Sequence, residues 1–122
     1  MQEVTRKKKI LIAEDDNGNF LLLQILLKKD YELFRAYNGK EAWEQFQSIA
    51  PDIVLMDIKM PELDGLDTTY LIRQESPKTP ILALSAYAFN EDKLNALWAG
   101  CNAYITKPLN LRELKEIIET YL

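Results

Sequence analysis

The chain has 122 residues, 48% of them apolar, and a formal net charge of −4. That length suits one domain with its own core, and the acidic balance argues against a nucleic-acid surface. With no histidine and one cysteine, Cys101, it has no internal disulfide, no histidine-based metal site or Ser-His triad, and no phosphohistidine of its own.

Residues 1–8, which include most of the basic run Arg6-Lys7-Lys8-Lys9, read as a solvated lead-in, and residues 9–122 as a single domain. Lys9 to Glu14 is an unbroken apolar run ending in acid, the pattern of a buried strand. Asn17 to Lys29 reads as a helix with Phe20, Leu23 and Leu27 inward. Tyr31 to Ala36 alternates more and reads as a strand nearer the sheet edge. After the Asn38-Gly39 turn, Lys40 to Ser48 is a helix with Ala42, Phe46 and Ile49 inward and Trp43 beside them.

Pro51-Asp52 restarts the chain into a third strand that ends at Asp57. Met60 to Gly65 is a loop rich in breakers, and Leu66 to Gln74 the third helix. Pro77 and Pro80 bracket the approach to Ile81–Ser85, the fourth strand. Glu91 to Ala99 is a helix closed by Gly100. Ala103 to Thr106 is a short fifth strand, and Asn110 caps a last helix with Leu111, Leu114, Ile117, Ile118 and Tyr121 on one face. Cys101, beside Gly100, reads as a small turn or core residue. Strand and helix alternating in this way imply a parallel sheet covered on both faces. No repeat, linker or low-complexity segment interrupts the pattern. No apolar stretch reaches membrane-spanning length and no signal peptide opens the chain, so a cytoplasmic setting is expected.

Four polar signals close four of the apolar runs: Glu14-Asp15-Asp16, Asp57, Ser85 and Lys107-Pro108. In an open parallel sheet these strand ends share the edge where ligands bind. Adjacent carboxylates repel, and a hard cation such as Mg2+ relieves that repulsion. The plain alternative for the trio is helix capping, but a cap needs no distant carboxylate such as Asp57. Asp57 suits a metal ligand, a general base or a nucleophile able to form an aspartyl phosphate. Phosphoryl transfer needs positioning and charge neutralisation. Lys107 supplies a point charge for that task and Ser85 a hydrogen-bond donor. Singly, a snorkelling lysine and a turn-forming serine would explain them as well. Pro108 pushes Lys107 toward an extended backbone and leaves a cis bond open.

These residues, in order and over nearly the whole length, resemble the receiver domain of two-component response regulators. The matching pieces are Ile10 to Asp16, Met56 to Gly65, Leu84-Ser85-Ala86 and Lys107-Pro108. The resemblance implies a doubly wound, five-stranded parallel sheet in the order 2-1-3-4-5, a flavodoxin-like (βα)5 fold. It implies that Asp57 accepts the phosphoryl group, with Lys107 and Ser85 on the phosphoryl oxygens. Mg2+ would be held by Glu14, Asp15, Asp57 and the backbone carbonyl of Lys59. Asp16 falls one place beyond the acidic pair, where helix capping suits it; a register one residue on remains open. Ser85 and Tyr104 would form the switch that alters the face of helix 4, strand 5 and helix 5. Lys59 and Tyr87 would overhang the site and tune the phosphate lifetime.

The implied partner is a histidine kinase or histidine phosphotransfer domain, with a downstream protein or tethered domain as output. A monomer or weak dimer is expected. With the fifth helix as its last element, the chain is expected to carry no DNA-binding output domain within these residues. Its Ser85–Ala88 and Asp57–Pro61 segments look more like the receivers of hybrid, membrane-anchored kinases than like a free-standing regulator. The main rival is a magnesium-dependent phosphohydrolase with an aspartyl-phosphate intermediate. The commonest such family has a second aspartate where this chain has Lys59, and this chain lacks a capping domain. A degenerate receiver that never takes phosphate is opposed by the intact Glu14, Asp15, Asp57, Ser85 and Lys107. A flavin- or nucleotide-binding domain of the same topology ranks last, because no glycine-rich loop follows the first strand.

Overall fold

The structure, a computed structural model, describes residues 6–59, 64–86 and 90–122. Strands β1 (Lys8–Ala13), β2 (Tyr31–Ala36), β3 (Ile53–Asp57), β4 (Ile81–Ser85) and β5 (Ala103–Thr106) alternate with helices. The helices are α1 (Asn17–Leu27), α2 (Gly39–Ile49), α3 (Gly65–Glu75), α4 (Asn90–Ala99) and α5 (Leu111–Tyr121). All strands are parallel, in the order β2-β1-β3-β4-β5. The expected doubly wound architecture is what the chain adopts, with β2 on an edge.

Alternation along each strand explains why the central runs are apolar throughout. Leu11, Ala13, Val54, Met56, Ile81 and Ala83 face one layer, packing on Ala42 and Phe46 of α2, Ile72 of α3 and Ala96 of α4. Their neighbours Ile10, Ile12, Ile53, Leu55, Leu82 and Leu84 face the other, against Leu23 and Leu27 of α1 and Leu114 and Ile118 of α5. Both faces of the central strands are therefore removed from water, which calls for apolar residues along the runs Ile10–Ala13, Ile53–Met56 and Ile81–Leu84.

The predicted boundaries shift by one or two residues. β1 ends at Ala13, although Glu14 N–H still donates to Ala36 O at 3.0 Å. α1 ends at Leu27 rather than Lys29; Lys28 caps it by donating to Gln24 O. The helices α2 and α3 each begin one residue early, on a glycine behind an Asn38 or Asp64 side-chain cap. Gly100 closes α4 as expected, at φ +119°. α2 ends instead on Ala50 at φ 50°; Pro51 follows and bars the right-handed helical region to it. On α5, Leu114 and Ile118 are buried, while Tyr121 lies at the rim with its hydroxyl donating to Asn102 O at 3.3 Å. Cys101 is a buried core residue, its thiol 3.7 Å from Thr69 Oγ1 and pushed up to about 11 by burial.

Candidate functional site

Strand register assembles the site. Ala13 pairs with Met56, Asp57 with Leu84, and Ser85 with Thr106. The next residues on β1 and β5, Glu14 and Lys107, therefore emerge at the same sheet edge as Asp57. Lys107 N–H donates to Ser85 O at 2.7 Å, and Ile58 N–H to Leu84 O at 3.1 Å. The Lys107-Pro108 bond is cis. Lys107 Nζ bonds to Glu14 Oε1 at 2.9 Å and to Asp57 Oδ2 at 3.1 Å. Glu14 is fully buried and Asp57 is 5% exposed, whereas Asp15 is exposed. One carboxylate oxygen from each of Glu14, Asp15 and Asp57 lies within 4.8 Å of the others. Asp16 stays outside this group: its Oδ1 accepts from Asn19 N–H at 2.8 Å, as the cap of α1.

Ser85 is buried at the end of β4, and Tyr104 is half-buried on β5 against the α2–α3–α4 layer. Lys59 is exposed; its backbone N–H donates to Asp57 Oδ1 at 3.1 Å. Tyr87 and the loop residues Met60 to Leu63 lie outside the described residues.

Three carboxylates converge, two of them bonded to the Lys107 ammonium; that excess of negative charge with all-oxygen donors fits a divalent hard cation. The electrostatics reflect the same excess. Burial, then Asp57, push the Glu14 carboxyl up to about 7, with Lys107 opposing. Burial works against the Lys107 ammonium, yet Glu14 and Asp57 together hold it above its ordinary value. Glu14 therefore takes up a proton when the metal-free chain folds. Its stabilising contribution is present below about pH 4.5 and is lost as the pH climbs to about 7. In EDTA the Tm should fall by roughly a few degrees between pH 5.5 and 7.5, and Glu14→Gln should flatten that slope. A metal-free Tm that rises across this interval would contradict the assignment.

The sequence places Gly65 at the end of a breaker-rich loop and of the Met56–Gly65 motif; the structure gives it a packing role. A Cβ there would meet the backbone oxygen of Asp57 and sit 2.7 Å from Ile58 Cα, while Gly65 N–H donates to Ile58 O at 3.0 Å. The start of α3 thus rests directly on the backbone carrying Asp57. Gly65→Ala should cost about 1–3 kcal/mol from overpacking, despite alanine's better helix propensity. Urea midpoints check this; an unchanged midpoint would mean that the Asp57–Ile58 backbone moves aside freely. Arg35 was also missed. A charged residue on an edge strand reads as solvated, but its Nε donates to Glu14 O at 3.1 Å.

A family model described as the response regulator receiver domain matches residues 10–119. The chain is 38% identical over 120 residues to the regulatory protein AtoC of Escherichia coli, covering 98% of this chain and 26% of that protein. It is 35% identical to the polar-differentiation response regulator DivK of Brucella anthropi, covering 94% and 96% respectively. It is 38% identical to hybrid signal transduction histidine kinase I of Dictyostelium discoideum, covering 94% of this chain but 7% of the kinase. Among solved structures, it superposes at TM-score 0.87 and 32% identity on the receiver domain of the sensor histidine kinase PA1611 of Pseudomonas aeruginosa, over 94% and 97% of the two chains. That structure has a magnesium ion coordinated in its active-site cleft.

Proposed function

The chain belongs to the response regulator receiver family, and on that premise we propose that it takes a phosphoryl group from a partner's phosphohistidine onto Asp57. The observation that carries this reading is the Lys107 ammonium bonded to both Glu14 and Asp57, with Asp15 beside them. Asp57 is the nucleophile. An oxygen of its carboxylate forms the new bond to phosphorus as the N–P bond of the donor breaks, its electron pair passing to the histidine ring nitrogen. Lys107 and Ser85 take the phosphoryl oxygens, which limits charge build-up in a step that depends on positioning. Glu14, Asp15, Asp57 and the Lys59 carbonyl would hold Mg2+, which would supply the remaining charge neutralisation.

The phosphoryl group adds about −1.5 to −2 charges at the edge. Drawing Ser85 toward it vacates space that Tyr104 fills, and the α4–β5–α5 face changes with it. Lys59 and Tyr87 tune how long the phosphate survives. The donor domain docks along the exposed side of α1 by Phe20, where Leu21, Leu22 and Ile25 are exposed. Residues 9–122 act as one receiver module on the cytoplasmic side, within a larger kinase or alone. Among the described residues, no helix is long and apolar enough to cross a membrane.

Intact mass after incubation with acetyl phosphate tests the reading. With Mg2+ a single phosphate adduct should form; with EDTA it should not. No adduct in Mg2+ would overturn the phosphoacceptor role. Multiple turnover of a phosphate ester would instead favour the phosphohydrolase.

A further inference from the structure

Arg35 sits on the edge strand β2, outside the set of residues given roles above, yet its guanidinium makes two hydrogen bonds and stacks on two rings. Nε donates to Glu14 O at 3.1 Å and Nη2 to Asn17 Oδ1 at 2.9 Å. The guanidinium carbon lies 4.5 Å from the centroid of the Phe20 ring and 4.0 Å from that of Tyr37. These contacts reach the residue after β1, the first of α1, Phe20 three residues further along α1, and the residue after β2. The planar, permanently charged fork suits that task, since it bonds two acceptors and stacks on rings at once.

Tyr37 is itself fixed, because its N–H donates to Glu41 Oε1 at 2.9 Å at the start of α2. On the other side, Asp16 caps α1 through Asn19 N–H. The peptide linking Glu14 to Asp15 is thereby held by its carbonyl oxygen. That peptide orients both carboxylates, one buried and one exposed, that converge with Asp57.

We infer that Arg35 is a positioning residue for the cation site, acting through the Glu14–Asp15 peptide; this rests on the Mg2+ reading above. Two effects compete. A nearby positive charge disfavours a cation, so removing it should tighten binding by simple Coulomb attraction. Losing the clamp lets the Glu14–Asp15 turn move, and partners that orient metal ligands are commonly worth 10–100-fold in affinity. Arg35 bonds to a neutral carbonyl and an amide rather than to the carboxylates, and its charge spreads over a stacked plane, so orientation outweighs repulsion.

Calorimetric titration with MgCl2 separates the two. Arg35→Gln removes the charge and the fork; Arg35→Lys keeps the charge and loses the fork. Both should weaken Mg2+ binding by about tenfold. With acetyl phosphate, the Mg2+ concentration giving half-maximal phosphorylation should rise by the same factor, with little change in the rate at saturation. Should Arg35→Gln fail to fold, Tyr37→Leu removes one ring and should weaken binding in the same direction. Tighter or unchanged binding in the folded variants, or full rescue by lysine, overturns the inference. A wild-type chain that binds no Mg2+ would overturn the functional reading as well, so the two failures are distinguishable.

Discussion

Asp57→Asn should abolish the phosphate adduct entirely while raising the stability of the metal-free domain. An amide oxygen is a poor nucleophile, so no acyl phosphate forms at this position. The stability change has a separate origin. Glu14 and Asp57 share one ammonium with Asp15 beside them, and burial, then Asp57, push the Glu14 carboxyl up. Asparagine keeps an acceptor oxygen for Lys59 N–H, which bonds Asp57 Oδ1, and leaves Lys107 its bond to Glu14. One buried charge disappears and little is lost. The expected gain is about 1 kcal/mol, or a few degrees in Tm. Mg2+ should raise the Tm of the variant less than that of wild type, because one of three carboxylates is gone. Intact mass and thermal scans in EDTA and in Mg2+ read all of this. A persistent adduct would move the acceptor elsewhere, and a lower metal-free Tm would mean that the Asp57–Lys107 bond outweighs the repulsion.

The two-sided parallel sheet and the acidic strand ends were legible from local signals, whereas the strand order came only from the family resemblance. Unbroken apolar runs such as Ile10–Ala13 and Ile53–Met56 require burial on both faces, and that forces helices onto both sides. The site followed because charged residues directly after such runs must fall on one sheet edge. Asp16 shows the limit. Next to Glu14 and Asp15, it is indistinguishable by type, and only the bond to Asn19 N–H separates a cap from a ligand. Gly65 and Arg35 show a second limit. Gly65 matters through a backbone contact seven and eight residues back, at Ile58 and Asp57. Arg35 matters through acceptors 18 and 21 residues away. Arg35 has no periodicity or neighbouring motif to announce it, and Gly65, although it closes the Met56–Gly65 motif, carries no sign there of the backbone it packs on. The helix ends slipped for a related reason: Lys28 and Lys29 favour helix as well as Leu26 does, and tertiary packing decides where α1 stops.

Lys107→Ala should pull Mg2+ affinity and phosphorylation rate in opposite directions, which makes it the sharpest test of how labour is divided at the site. Lys107 bonds Glu14 and Asp57, two of the three carboxylates that would face the cation. Removing its charge leaves those oxygens more negative, so Mg2+ should bind more tightly. If the lysine's purpose were to shape the metal site, the rate would follow the affinity. On the proposed phosphoryl transfer, however, the ammonium would offset charge on the moving group, and loss of one such preorganised donor costs about 10²–10³ in rate. Phosphorylation by acetyl phosphate at saturating Mg2+ should therefore slow by about that factor. In the metal-free chain, two buried carboxylates would lose their counter-ion. Breaking a buried pair costs about 3–5 kcal/mol when the orphaned charge is retained, but Glu14 escapes part of this by holding its proton to still higher pH. The destabilisation in EDTA should thus be large at pH 8 and shrink toward pH 6, where Glu14 is neutral before and after the change. Calorimetry, initial rates and Tm at the two pH values read the three effects. A rate at saturating Mg2+ equal to wild type would remove Lys107 from the transfer step and leave it only as the counter-charge of an acidic cluster.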